Sequence, residues 1–167
     1  MKTLLLSALT RQFLIQGARF SELHPNDWLL WEAGTLAVPR GNIATANTVS
    51  DPLDAGAIRP RVGDPLCFVL DPNTAGSTVT IGRAEGNTIV LSDETVSRHH
   101  CTLVWNDGWS AVSAEDHSVF TLDGKPVQPG RFVTVSSGQT LGLGHLELSL
   151  FTGQGMLLRL ASKLARR

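Results

Sequence analysis

Short apolar runs separated by turn residues fill residues 65–151, and this pattern limits the folds open to the chain. Closely spaced runs divided by Gly, Pro, Asn and Asp are typical of the strands of a β-sandwich. Asp123-Gly124 stands between two of these runs and predicts a tight hairpin, because both central positions of such a turn tolerate positive φ. The sequence therefore predicts an all-β, antiparallel β-sandwich. Its predicted strands cover 67–70, 78–81, 89–91, 102–105, 110–113, 119–122, 132–135, 140–143 and 146–151.

The segment before this region has a helical pattern. Leu6, Phe13 and Phe20 recur at a seven-residue spacing, which places them on one face of a helix. Residues 1–34 are therefore predicted to form an N-terminal helical extension, with the helix itself over 5–20.

Composition divides the rest of the chain. Residues 35–64 are rich in Pro, Gly and Asn and are predicted to be a loop or linker with little regular structure. The sandwich domain is predicted to span 65–151. Residues 152–167 carry apolar side chains at helical spacing and are predicted to form a short C-terminal helical tail.

Trp28 and Trp31 lie in a dense apolar cluster after the predicted helix. They could complete the hydrophobic core, or they could form a surface for a partner or for a second copy of the chain. Core packing is favoured, because large aromatic side chains are mostly buried.

Charge and cysteine usage argue against several classes of protein. The chain has 14 Lys plus Arg against 15 Asp plus Glu, a balance that argues against a nucleic-acid-binding protein.

Cys67 and Cys101 form no zinc-type pair, and two buried thiols in a reducing compartment are favoured, although a disulfide stays open. The apolar run over 4–9 is too short for a signal peptide or a membrane span, so a cytoplasmic location is expected and membrane association is not.

Three side chains in the predicted loops suit an anion site. Arg83 follows a strand and offers a planar fork of N–H donors, while Ser97 adds a hydroxyl and a backbone N–H in its turn. Arg98 adds a second positive charge. Arg83 could instead pair with a nearby carboxylate, and Ser97 could be an ordinary turn residue.

The motifs that contain these residues resemble the forkhead-associated (FHA) family. Gly82-Arg83 at a strand end is followed by Ser97-Arg98-His99-His100, and Gly138-Gln139-Thr140 then leads into a late strand. The resemblance implies an FHA-like sandwich that binds phosphothreonine peptides through Arg83, Ser97 and Arg98. It also implies that four residues support the binding loops, with His100 bracing them by hydrogen bonds: Gly82, Asn87, His100 and Gly124.

The sequence departs from the family at one segment. Ser118-Val119-Phe120 stands where the family has Asn-Gly-Thr, and His117 precedes it. The resemblance implies that Ser118 takes the place of an Asn that binds the ligand backbone, with a shorter reach. His117 could donate to the ligand or simply lie on an exposed loop.

No enzyme or metal site is predicted. Asp93, Ser97 and His100 are close in sequence, but neither a GxSxG elbow nor a Walker loop occurs, and no cofactor is expected. His99, His100 and Cys101 would alternate between the faces of a strand and cannot share one ion. The predicted function is phosphothreonine-peptide binding in kinase-linked signalling, with a phosphorylated protein such as a Ser/Thr kinase or its substrate as partner. The alternative is a phosphate-independent interaction or scaffolding module.

Overall fold

The computed structural model describes residues 2–32, 64–72, 77–115 and 118–165. Within these ranges the chain forms two β-sheets and three α-helices. The helices are α1 (Leu6–Gln16), α2 (Phe20–Leu23) and α3 (Gly153–Ala165), with a 3₁₀ turn at Gly17–Arg19 between the first two. The strands are β1 (Thr3–Leu5), β2 (Asp27–Trp31), β3 (Leu66–Leu70), β4 (Thr78–Gly82), β5 (Ile89–Val90), β6 (Cys101–Trp105), β7 (Trp109–Ser113), β8 (Thr121–Leu122), β9 (Lys125–Pro126), β10 (Val133–Thr134), β11 (Thr140–Leu143) and β12 (Leu146–Phe151).

The two sheets form the predicted sandwich. Among the described residues, one sheet has seven strands in the order β1-β3-β2-β12-β11-β8-β9, and the other has five in the order β10-β7-β6-β4-β5. All pairs are antiparallel except β4 with β5, which run parallel. The all-β antiparallel fold predicted from the strand spacing is therefore confirmed. Two helices come early in the chain, before β2, and the third follows the last strand.

The N-terminal segment differs from the prediction of a separate helical extension. It contributes β1 and β2 to the larger sheet, and β2 lies between β3 and β12. The helix expected over 5–20 is present as α1, the 3₁₀ turn and α2. Most of the loop predicted over 35–64 lies outside the described residues.

The position of β2 explains its apolar sequence. Leu29 faces the core between the two sheets, while Trp28 and Leu30 face a second core that lies beneath the helices. A strand covered on both faces loses the apolar–polar alternation by which strands are recognised. Trp28 is therefore a core residue, as the burial of large aromatic side chains favours. Trp31 is partly buried against the core between the sheets.

Helix α3 packs onto this second core, in agreement with the predicted C-terminal helical tail. Met156 and Leu160 are fully buried there, beside Phe20 of α2. Arg159 forms an ion pair with Glu32, and its guanidinium lies 5.0 Å from the centre of the Phe151 ring. These contacts hold the helix against the outer face of the larger sheet.

Asp27 connects the two sheets and α3. This carboxylate is only 6% exposed. One oxygen accepts the indole N–H of Trp109 from β7, at 2.9 Å, and the other accepts the backbone N–H of Gly153 at the start of α3, also at 2.9 Å. A negative charge at a helix N-terminus is favoured, because the unpaired N–H groups there carry partial positive charge.

Both cysteine side chains are buried and unpaired. Burial raises the pKa of the Cys67 and Cys101 thiols to about 12, so neither behaves as a reactive thiolate. Within residues 2–32, 64–72, 77–115 and 118–165, the helices lack the length and apolar character that a transmembrane span requires.

Candidate phosphopeptide-binding site

Loops that follow three strands meet at one end of the sandwich. Arg83 follows β4, Ser97 lies in the loop between β5 and β6, and Ser118 lies between β7 and β8. The first two loops are joined by backbone hydrogen bonds from Arg83 N to Ser97 O, at 3.0 Å, and from Ala84 N to Arg98 O, at 3.1 Å. The structure therefore brings the predicted anion-binding residues together on a common frame.

A cleft of about 610 Å³ opens between these loops. Its walls come from the β4–β5 loop, the β5–β6 loop and the start of the loop after β7. The lining residues are Arg83, Glu94, Thr95, Val96, Ser97, Arg98, His99 and Glu115. The cleft thus contains the predicted residues Arg83, Ser97 and Arg98 side by side.

The charges in the cleft are mixed. Arg83 and Arg98 supply two positive charges, and Glu94 and Glu115 supply two negative ones. Within the part of the chain that the structure describes, Arg83 forms no ion pair; Asp93 instead accepts from the backbone N–H of Thr95, at 2.8 Å. The cleft is therefore not a uniformly basic surface, and an anion in it would have to be bound by particular donors.

Gly82 permits the close approach of the two loops. A Cβ atom at this position would lie 2.2 Å from the carbonyl oxygen of Arg98 and 2.9 Å from Nδ2 of Asn87. Asn87 is buried, and its Nδ2 donates to the carbonyl oxygens of Ala84, at 2.8 Å, and of Arg98, at 2.7 Å. Gly82 and Asn87 together set the spacing between Arg83 and Arg98.

His100 connects the cleft to the third loop. Its Nδ1 accepts the backbone N–H of Ser97 at 3.0 Å, and its Nε2 donates to the carbonyl oxygen of Val119 at 3.1 Å. The Ser97 backbone N–H is therefore already bonded, and only the hydroxyl of Ser97 is left to meet an anion. Burial lowers the pKa of His100, while its hydrogen bond to Val119 acts in the opposite direction.

The burial that lowers the pKa of His100 predicts a loss of stability in acid. Because the pKa of His100 is lower in the folded chain than its ordinary value of 6.5, protons bind the unfolded chain more readily. The stability that His100 contributes is present above that unfolded value and is lost as the pH falls through the folded one. We expect the free energy of unfolding, measured by denaturant titration, to decline from about pH 7.5 to pH 5.

His24 requires a control in this measurement, since burial and the nearby Lys2 also lower its pKa. The His24→Gln variant should keep part of the decline. A pH-independent stability in that variant would contradict the role given to His100.

The loop with Ser97 is held from its other side by a turn of the larger sheet. The hydroxyl of Thr95 accepts the backbone N–H of His145 at 2.9 Å. Gly144 lies directly against Thr95, since a Cβ atom at position 144 would come within 2.4 Å of the Thr95 carbonyl oxygen. Both sheets therefore contribute to the placement of the cleft.

Sequence comparison identifies the unit to which this site belongs. Residues 79–144 match the family model described as the FHA domain. The part of the chain that forms the cleft matches an FHA domain. The matched range includes every residue that lines the cleft. A comparison with curated proteins finds no match to the sequence.

At least one solved FHA domain has a similar fold. The FHA domain of a hypothetical protein from Arabidopsis thaliana has a TM-score of 0.52 and 18% identity, and the alignment covers 76% of this chain and 85% of that one. The FHA domain of CT664 from Chlamydia trachomatis has a TM-score of 0.49 and 22% identity, over 75% of this chain and 96% of that one. The likeness to the Arabidopsis domain shows the sandwich fold.

Ser118 differs from its predicted role as a ligand-binding residue. Its side chain is 1% exposed, and its hydroxyl donates to the carbonyl oxygen of His99 at 3.1 Å. The short side chain reaches a neighbouring loop rather than the cleft. His117 lies outside the described residues.

Gly124 lies in the predicted hairpin, between β8 and β9. Asp123 has a φ of 49° and Gly124 a φ of 76°, the left-handed pair that a two-residue turn needs. Among the described residues, this turn contributes nothing to the cleft lining.

Four polar residues of the cleft were not among the site residues predicted from the sequence: Glu94, Thr95, His99 and Glu115. Glu94 and Glu115 lie outside the motifs, and no local signal marks them. His99 lies inside the motif between two predicted residues, so its position could have been noted.

Proposed function

We propose that this chain is a phosphothreonine-peptide-binding interaction module. The observation that carries the proposal is that Arg83, Ser97 and Arg98 line one cleft on loops joined backbone to backbone. A phosphate dianion needs charge-assisted donors, and two guanidinium groups and a hydroxyl supply them. Because the loops are tied to a rigid sandwich, little ordering is needed when the anion binds.

The proposal extends to the partner. It would be a phosphorylated protein, such as a Ser/Thr kinase or its substrate, in kinase-linked signalling in the cytoplasm, and the module would bind without catalysing a reaction. The preference for threonine over serine rests on the family resemblance. His117 stays a proposed contact beside the phosphate.

The experiment that tests the proposal compares two peptides that differ in one phosphate. The intact chain is titrated calorimetrically with a phosphothreonine peptide library and with its unphosphorylated counterpart. One charge-assisted hydrogen bond contributes about 1.5–3 kcal/mol, and about 1.4 kcal/mol corresponds to tenfold in affinity. The phosphorylated peptides should therefore bind at least about tenfold more tightly.

Equal binding of both peptide forms would overturn the proposal. It would favour the alternative, a phosphate-independent interaction or scaffolding module built on the same fold.

A further inference from the structure

The side chain of Asn87 has a single orientation that satisfies its neighbours. Nδ2 donates to two backbone carbonyl oxygens, those of Ala84 and Arg98, at 2.8 and 2.7 Å. The opposite placement of the amide would set an oxygen against both carbonyls. Oδ1 therefore faces Nδ1 of His99, which lies 3.0 Å away.

This contact determines which nitrogen of His99 carries hydrogen. An amide oxygen only accepts hydrogen bonds, so Nδ1 of His99 must be the donor. In the neutral ring, Nε2 then has a lone pair and no hydrogen. Within the described part of the chain, Nε2 makes no hydrogen bond, and His99 is exposed and lines the cleft.

The backbone of His99 is held as well. Its carbonyl oxygen accepts the hydroxyl of Ser118 at 3.1 Å. Ser118 occupies the position at which the resemblance implies a ligand-binding amide, and here it supports His99 instead. His99 is thus anchored at its ring by one loop and at its backbone by another, beside Arg83 and Arg98.

We propose that His99 is an additional phosphate ligand that takes up a proton as the phosphopeptide binds. This inference rests on the proposed function. A neutral Nε2 would direct its lone pair at a phosphate oxygen, and the two electron-rich atoms would repel each other. Once protonated, Nε2 donates a charge-assisted hydrogen bond to the same oxygen.

The ligand changes the charge that His99 faces in the cleft. Glu94 and Glu115 contribute two negative charges to the cleft, and Arg83 and Arg98 contribute two positive ones. His100 is buried on the far side and is committed to Ser97 and Val119. The phosphate dianion adds negative charge directly at the cleft and so draws the proton onto Nε2.

Proton uptake can be counted directly. The intact chain is titrated with a phosphothreonine peptide at about pH 7, where histidine exchanges protons, in buffers of different ionisation enthalpy. The dependence of the measured heat on the buffer gives the number of protons exchanged. Two arginines bind the phosphate dianion in preference to the monoanion, so the phosphate loses protons to the buffer on binding. Proton uptake by His99 changes the measured proton count in the opposite direction.

His99→Gln removes the titrating ring, and His145→Gln is the matched control at an exposed histidine. We expect His99→Gln to shift the proton count toward release, by up to about one proton, and His145→Gln to leave it unchanged. Near pH 6.5 the unaltered chain should bind about fivefold more tightly than His99→Gln, and near pH 8 the two should converge. His99→Lys carries a permanent charge and should bind well at both pH values without proton uptake.

The outcomes separate this inference from the proposed function. If the phosphopeptide binds in preference to the plain one but His99→Gln keeps the proton count of the unaltered chain, the role of His99 is wrong and the function stands. If neither peptide form is distinguished, the function itself fails. Thermal unfolding of each variant shows whether the fold is retained.

Discussion

Replacing Arg83 with alanine is expected to weaken binding of a phosphothreonine peptide by at least about tenfold, because a charge-assisted hydrogen bond contributes about 1.5–3 kcal/mol. The backbone N–H of Arg83 would still donate to Ser97 O, so the loops should keep their positions while the guanidinium is lost. The residue is exposed and forms no ion pair within the described residues, so its removal should leave stability nearly unchanged.

Two variants make this test specific. Arg83→Lys keeps the charge but loses the planar fork, and it should recover only part of the affinity. Arg11→Ala removes an exposed charge from α1, outside the cleft, and should bind like the unaltered chain. If Arg83→Ala weakens binding no more than Arg11→Ala does, the site lies elsewhere.

Replacing Asp27 with alanine is expected to lower the free energy of unfolding by about 3 kcal/mol, because two hydrogen bonds to a buried carboxylate are lost and hydrogen bonds to a charged group contribute about 1.5–3 kcal/mol each. Two donors would be left without an acceptor: the indole N–H of Trp109, a residue 2% exposed, and the first backbone N–H of α3. Since Asp27 contacts both sheets and a helix, its loss weakens three parts of the fold together.

Denaturant unfolding followed by tryptophan fluorescence measures this effect. Glu147→Ala is the matched control, because Glu147 is a carboxylate of the same sheet that points to solvent. A loss for Asp27→Ala no larger than that for Glu147→Ala would mean that the two hydrogen bonds contribute nothing to stability.

Local pattern accounts for the parts of the fold that the sequence predicted. The strands around 78–82, 101–105 and 140–143 are short apolar runs bounded by turn residues. The Asp123-Gly124 turn follows from the φ values that a two-residue hairpin needs. Arg83 and Ser97 were recognisable because both occur in short motifs at the ends of such runs.

Contacts between distant segments account for what the sequence did not predict. β2 has no alternation because helices cover its outer face, so it could not be distinguished from the end of a helical region. The bond of Asp27 to Trp109 and the inward turn of Ser118 depend on neighbours that are far away in the chain. The placement of the His99 ring depends on how the Asn87 side-chain amide is oriented, and the spacing of residues in the sequence does not predict that orientation.

The central place of β2 in the larger sheet has a consequence for how the chain folds. β2 pairs with β12, and its first residue bonds to Gly153, 126 residues later. Contacts between such distant segments slow folding, because the entropy of closing the loop is lost before the contacts form. Until β12 arrives, one edge of β2 presents unpaired backbone groups next to an apolar surface. A chain arrested before residue 146 would therefore expose an edge that other chains can extend, and aggregation would compete with folding at that stage.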